Sequence, residues 1–520
     1  MNLLYDPWIP VCSDGGTGKF HQITYKELLC LEGNWQISLP RDDLEMACLQ
    51  LLVSLTQILF LPTDDPSLRN RIKSPLSSEE FAEGIAHGED WFDLTHPKYP
   101  FMQVRGVASE EEKPIQKLLL GLPEGNNHNF FNETGEVVRL GAASTAIALF
   151  NQASNSPSFG GGFKLGLRGS APVTTLVVGD NLRQTVWRNV ITFSRVQERL
   201  PHYQPGRSND RPTWVDPIPE DGKINETAIG LMRGLFWQPL HLELLPPEPH
   251  SHCDLLDLPC DTAFTGFRWL KFKYAVNGVW PHPHGSTTLK IKKGREERKF
   301  LSFSYSSPAW TQLSEFVVPR SIHGDDKEGT IPAAPITQAP ELFRDYPLHM
   351  LVGGYCVKGG GDANVRERRY DLVSLARGWD EDKGRLKKLV DLGLKTKESL
   401  RKKLYVAGSG DNKRGLKGIG SDIQKVGVKL FFARTEGMLH EVLRDEMTFR
   451  DFKTAQERWL SSLVSICLDI FENLTNPYTM KPELIPIIAF ARRSLNNELM
   501  TLKDGGGQNG GKPRKRQKKS

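Results

Sequence analysis

Apolar side chains in the last third of the chain recur every three or four residues. Between Asp451 and Leu474 they fall at Phe452, Ala455, Trp459, Leu463, Ile466, Ile470 and Leu474, which is one face of a helix. Leu386–Tyr405, Ile423–Leu443 and Glu483–Leu502 show the same period less regularly, with short connections. Together they predict a four-helix bundle after about residue 371. Pro482 suits the first turn of the last helix, and Pro486 sits within its start.

Before residue 371 the pattern is mixed. Leu44, Ala47, Leu51 and Leu55 follow Arg41-Asp42-Asp43, whose acids suit a helix N-terminus, and predict a helix through Leu61. Ser77–His87 and Leu182–Gln197 read as further helices. Pro172–Val178 is a β-branched run typical of a strand, and Leu231–Leu245 is apolar and strand-like around Trp237. Phe264–Asn277 alternates, placing Lys271 and Lys273 on one face and Phe272 and Tyr274 on the other. Leu289–Tyr305 reads as a hairpin with a charged turn at Lys292–Lys299. Residues 1–40 read as short strands and turns, and 88–145, 198–222 and 306–348 as largely loop.

Composition narrows the class. At 520 residues, 38% hydrophobic and 25% charged, the chain suits a soluble protein of about two to four domains. It carries 67 Lys and Arg against 62 Asp and Glu, but six of the basic residues crowd into Lys512–Lys519. The body is thus near neutral, so a nucleic-acid surface there must be a local patch. Seven scattered cysteines read as reduced thiols of a cytoplasmic protein. MNLLYDPWIP lacks a basic n-region and is no signal peptide, and the apolar run Leu49–Leu61 is too short and polar to span a bilayer. The tail 504–520 reads as disordered, able to hold phosphates only non-specifically.

Several stretches carry candidate chemistry. Gly160, Gly161 and Gly162, framed by Phe159 and Phe163 with Lys164 and Arg168 beyond, can bring bare backbone and cations against a polyanion; equally, a glycine run serves as a turn. The polar-aromatic cluster Asn126–Asn132 can stack on bases if exposed, or anchor a loop if buried. Lys271 and Lys273 form a basic row or an ordinary solvated face. Gly353–Asp362 is a glycine-dense hairpin tip with Lys358. Gly15–Phe20 lacks the full phosphate-loop spacing and reads as a hairpin turn. His250–Cys253 and Cys260 offer zinc's ligand types, but the two cysteines stand alone, and the histidines of Trp280–Gly285 read as structural. No nucleophile elbow, Walker element, HExxH or nuclease-like cluster is present.

Taken together and in order, MNLLYDPWIPV, SLPRDD (Ser38–Asp43), HPKYPFMQ (His96–Gln103), TAIALFNQA (Thr145–Ala153), FGGGFK and GLRG (Phe159–Gly169), GLFWQP (Gly234–Pro239), NGVWPHPH (Asn277–His284) and LVGGY (from Leu351) resemble one family. It is the CasA family, the large subunits of the type I-E CRISPR surveillance complex, Cascade. The resemblance runs from residue 1 to about 500 and is strongest before 370. It implies an α+β fold, with a large mixed α/β domain over 1–370 and a four-helix bundle over 371–503. It also implies no enzymatic activity, no cofactor and no membrane. The implied partners are crRNA, double-stranded target DNA, the other Cascade subunits and a helicase-nuclease recruited on target binding. The implied task is antiviral: recognising the PAM beside the target and starting strand separation.

Matched residue by residue, the family's PAM-reading loop falls on Phe159, Gly160, Gly161 and Gly162, and its lysine finger on Lys271. A close-fitting backbone and one lysine suit the degenerate acceptor pattern of the minor groove. The crRNA- and complex-contacting loop falls on Phe130 and Asn132. The family's duplex-opening wedge often presents a glutamine after GGY. Here the tip is three residues longer and has none, leaving Lys358, Asp362 and Asn364 as substitutes. Some relatives carry a CxxC before the TAIALF block that could join later cysteines around zinc. Here those positions are Gly141 and Ser144, so no metal is expected with Cys253 and Cys260. Two other classes stay open: an enzyme such as a nuclease with a dispersed site, and a scaffold that never touches DNA.

Overall fold

The computed structural model describes residues 1–86, 88–122, 135–157, 162–204, 210–292, 294–322, 328–343, 346–357 and 365–503. The chain divides into two compact units, Met1–Ala309 with Glu315–Val373, and Trp310–Ser314 with the chain from Ser374 onward. The first mixes helices with small sheets of two or three strands, and the second is almost wholly helical. The α+β class stands.

The first unit is built around the helix Asp42–Leu59, whose residues from Asp43 to Gln57 are buried with few breaks on any side. Against it packs Ala142–Ser154, buried from Ala142 to Ala153. That second helix escaped the hydrophobic pattern because it has no wet face, so no period of 3.6 contrasts apolar with polar positions. Its small residues instead allow close packing. Beside this pair lies a sheet in the order Thr174–Val177, Leu348–Val357, Val365–Leu375, with Met350 opposite Val177 and Gly353 opposite Thr174.

Several local expectations are corrected. Residues 1–40 also hold the helix Tyr25–Cys30, started by a capping box in which Thr24 and Glu27 satisfy each other's backbone N–H groups. The same device starts Asp65–Lys73 at Asp64 and Ser78–Ile85 at Ser77. Leu182–Gln197 is two helices, Leu182–Asn189 and Phe193–Arg199. The break is held by Gln57, whose amide accepts from Ile191 N at 2.7 Å and donates to Ile191 O at 2.9 Å. Leu231–Leu245 is a short helix, Leu231–Leu235, then a strand, His241–Leu244. Phe264–Asn277 is divided among strands with different partners, Gly266–Leu270 against Glu112–Pro114 and His241–Leu244, and Tyr274–Asn277 parallel to Gly222–Asn225. The hairpin turn near Lys292 is tighter than read, because Arg295–Phe300 is already strand. The stretch 306–348 is less loop-rich than read and holds the helix Ala334–Leu342. Gly15–Phe20 lies within the hairpin connecting Ile9–Cys12 to Phe20–Ile23.

The second unit packs Lys383–Ser409, Ile423–Arg444, Phe452–Thr475 and Ile485–Lys503 together. Trp459 anchors it, fully buried, with its indole N–H donating to Leu389 O at 3.1 Å. Trp310 packs edge-on against Phe432 and closes over Gly393, where a side chain's first carbon would come within 2.9 Å of the ring.

Gln57→Leu leaves the N–H and C=O of Ile191 buried and unpaired. We expect a loss of about 2–4 kcal/mol, read as a lower urea midpoint for the first unit; a change under about 0.5 kcal/mol would contradict the role given to this amide.

Candidate nucleic-acid interface

The glycine stretch leaves the helix Ala142–Ser154 and returns to the strand Thr174–Val177. Phe159, Gly160 and Gly161 lie outside the described residues. Gly162 has φ +90, the left-handed region, and a side chain there would meet nothing within 4 Å. Backbone conformation rather than crowding is therefore what requires glycine at this position. The return limb is held at several points. Phe163 packs on Trp269 with ring centroids 4.4 Å apart, and Leu165 O accepts from the Tyr274 hydroxyl at 3.2 Å. Gly166 passes so close to Ala153 O that a methyl group would lie 2.6 Å from it.

Arg168, singled out as a cation suited to a polyanion, is instead 4% exposed. It donates to Thr174 Oγ1 at 2.9 Å, to Ser154 O at 2.9 Å and to Asn155 Oδ1. Burial pushes its pKa down to about 9, which still leaves it charged at neutral pH. It ties the return limb to the end of the helix that launches the loop, and it offers no surface to phosphate.

Lys271 follows the strand Gly266–Leu270 and is exposed, while Phe272 behind it is buried. The alternation read from the sequence thus holds in burial although the strand itself ends. Its ammonium lies 6.0 Å from the Phe163 ring centroid, bringing the lysine to the return limb of the glycine stretch. Three further cations share this platform. Lys117 and Lys113 sit 4.8 and 5.5 Å from the Trp269 indole, and Lys164 sits 5.7 Å from the Tyr274 ring. Phe272 stacks on His241 at 4.1 Å, and burial lowers the imidazole's pKa, favouring its neutral form. The aromatic faces attract the ammonium groups by their negative quadrupoles, and that of Lys113 is in addition ion-paired with Glu111. Lys113 and Lys117 were missed by sequence reasoning. They lie on a short strand and a 3-10 turn, Glu112–Pro114 and Ile115–Leu118, and only their four-residue spacing hints at a shared direction.

The other predicted site residues, Phe130, Asn132, Lys358, Asp362 and Asn364, lie outside the described residues. Their roots are described: the strands Leu348–Val357 and Val365–Leu375 flank the wedge positions.

Gly141, Ser144, Cys253 and Cys260 do converge. A side chain's first carbon at Gly141 would lie 3.4 Å from Cys253 Sγ and 3.5 Å from Cys260 Cβ, and the Cys253 thiol donates to Ser144 Oγ at 3.8 Å. Two thiols, a glycine and a serine do not make a zinc site. Among the described residues no three His, Cys, Asp or Glu side chains gather as metal ligands. His252 lies between Asp254 and Asp257, and His282 and His284 are buried and neutral, the latter's pKa pushed down to about 3 by burial and then by Arg168 and Arg199. Nor, among the described residues, is any helix long and apolar enough to cross a membrane.

The CRISPR-associated protein Cse1 family model matches residues 2–470. The CRISPR-associated protein CasA/Cse1 of Thermus thermophilus is 26% identical over 206 residues, covering 37% of this chain and 40% of that relative. In fold the chain is similar to Thermobifida fusca Cse1, with TM-score 0.72 at 17% identity over 98% of this chain and 99% of that one. It is also similar to a chain of a CRISPR RNA-guided surveillance complex, with TM-score 0.68 at 16% identity over 95% and 99%.

The convergence at Gly141 yields a direct test. Combining Gly141→Cys with Ser144→Cys sets four thiols together, after Cys253 yields by a few tenths of an ångström, and is expected to bind about one zinc per chain. Metal analysis after dialysis checks this; zinc no higher than in the unaltered protein would show that the four positions do not meet.

Proposed function

The chain belongs to the CRISPR-associated protein Cse1 family, and on that premise we propose that it is the non-catalytic large subunit of a type I-E RNA-guided effector, reading the PAM of double-stranded DNA through the minor groove. The observation that carries this reading is Lys271 at the Phe163 ring, on the return limb of the glycine stretch. A glycine backbone can approach the floor of a groove that side chains would fill, and one ammonium beside it can donate to the purine N3 and pyrimidine O2 acceptors found there. Such a reader separates few sequences, and base pairing to the crRNA supplies the rest. Lys117 on Trp269 fits a flanking phosphate, which positions a duplex without reading it, whereas the Lys113 ammonium is already paired with Glu111.

On this reading 1–370 is the PAM-recognition domain, 371–503 the bundle and 504–520 a basic tail. Phe159, Gly160 and Gly161 complete the groove contact. Phe130 and Asn132 face the crRNA and neighbouring subunits. Lys358, Asp362 or Asn364 takes the place of a wedge glutamine in prying the first base pairs apart. The fold shared with a chain of an RNA-guided surveillance complex supports assembly with other Cascade subunits. Recruitment of the helicase-nuclease and a cytoplasmic setting follow from the same assignment.

In the assembled complex, Gly161→Asp or Lys271→Ala is expected to cut the preference for PAM-bearing over PAM-less DNA at least about fivefold. Full discrimination by both variants would refute the site and favour a scaffold that never touches DNA. Lys117→Ala should instead weaken both DNAs alike and flatten the salt dependence by about one phosphate contact. Cutting of DNA by the isolated chain with a divalent metal would favour the nuclease reading.

Shortening Val357–Asn364 is expected to impair duplex opening more than initial binding. Comparison of duplex with pre-melted target checks this, and equal loss on the two would count against a wedge there.

A further inference from the structure

We infer that one buried polar network centred on Asp43 joins the roots of the glycine stretch, the wedge hairpin and the chain leaving Leu120, so that Tyr355, Asn151 and Thr174 act as positioning residues coupling PAM reading to strand opening. This rests on the function proposed above.

Asp43 is 0% exposed at the start of the buried helix Asp42–Leu59. Arg41 grips it with two bonds, Nε to Oδ1 at 3.0 Å and Nη2 to Oδ2 at 2.7 Å. The same Nη2 donates to Leu120 O at 2.7 Å, fixing the turn that precedes the predicted crRNA loop. Arg368, on the strand returning from the wedge, donates to Asp43 Oδ1 at 3.3 Å. Tyr355, on the strand leading to the wedge, donates its hydroxyl proton to Asp43 Oδ2 at 2.9 Å.

The Tyr355 hydroxyl also accepts from Asn151 Nδ2 at 2.6 Å, which carries the network into the helix before the glycine stretch. From there Asn155 Nδ2 donates to Asn151 Oδ1 at 3.1 Å, and Asn155 Oδ1 accepts from Arg168 and, at 3.1 Å, from Thr174 Oγ1. A continuous chain of buried side chains therefore runs from Leu120, through Asp43 and Tyr355, to the clamp that closes the glycine stretch. These bonds are directional, and Tyr355 and Asn151 are fully buried, so a turn of the Tyr355 ring that keeps its bond to Asp43 must carry or break the bond to Asn151. The backbone admits this packing at Gly353, where a side chain's first carbon would fall 2.2 Å from the Tyr370 ring.

The two ends can be tested separately in the assembled complex. PAM discrimination is read as the affinity ratio for DNA with and without a PAM, and opening as the fluorescence of 2-aminopurine at the first PAM-adjacent base pairs. Tyr355→Phe removes one hydroxyl at the wedge root and is expected to lower PAM discrimination severalfold as well as opening. Thr174→Val, at the other end, is expected to lower opening severalfold even at DNA concentrations that saturate binding. The Tyr355→Phe/Asn151→Leu pair should be no worse than the poorer single variant, because both break one link. A Tyr355→Phe complex that loses opening alone, a Thr174→Val complex that opens normally, or additive losses in the pair would each overturn the coupling. Should Tyr355→Phe fail to fold, Thr174→Val decides alone. Absence of PAM discrimination in the unaltered complex would instead overturn the function on which the inference rests.

Discussion

A carboxylate sealed in the interior is the constraint on which the first unit depends. Asp43 accepts locally from Arg41 and the N–H of Leu44 and, from the distant strands Leu348–Val357 and Val365–Leu375, from Tyr355 and Arg368. A buried ion pair adds little net stability, since desolvation offsets the attraction. Removing one partner is another matter, at about 3–5 kcal/mol, because the remaining charge stays buried. Such a group tolerates one arrangement of its neighbours and penalises the rest. The helix Asp42–Leu59, the hairpin strands and the helix Ala142–Ser154 are thereby held in one mutual register.

The candidate interface is built in the opposite way, from half-exposed groups on an aromatic base. Phe163, Trp269, Phe272, Tyr274 and His241 make a platform whose outer faces carry Lys113, Lys117, Lys164 and Lys271. Long lysine stems gain from lying on rings while the charged ends reach water, except that the Lys113 ammonium is taken up by Glu111. A near-neutral body can in this way present a small, fixed cationic surface.

Arg168 shows how a residue can be correctly noticed and wrongly placed. In sequence it is a cation five residues beyond Phe163, but its side chain turns inward to Ser154, Asn155 and Thr174. Lys271 shows the reverse: the predicted strand ends at Leu270, yet the lysine stands exposed and reaches the Phe163 ring. Lys113 and Lys117 gave almost no sign of themselves, because cations over an indole leave no pattern in a chain read alone.

From the sequence alone came the bundle helices, the family and the blocks that now prove to hold the network. Asp43 lies in SLPRDD, Asn151 in TAIALFNQA, Arg168 in GLRG and Tyr355 in LVGGY. A helix with one dry face and one wet face writes its period into the sequence, and Phe452–Thr475 does so plainly. Tertiary structure decided what has no such contrast: the buried helix Ala142–Ser154, the break at Ile191, and which polar groups meet. Asp43 and Tyr355 are 312 residues apart along the chain. A hydrogen bond across that separation depends on the packing of every element between, and no local pattern can record it.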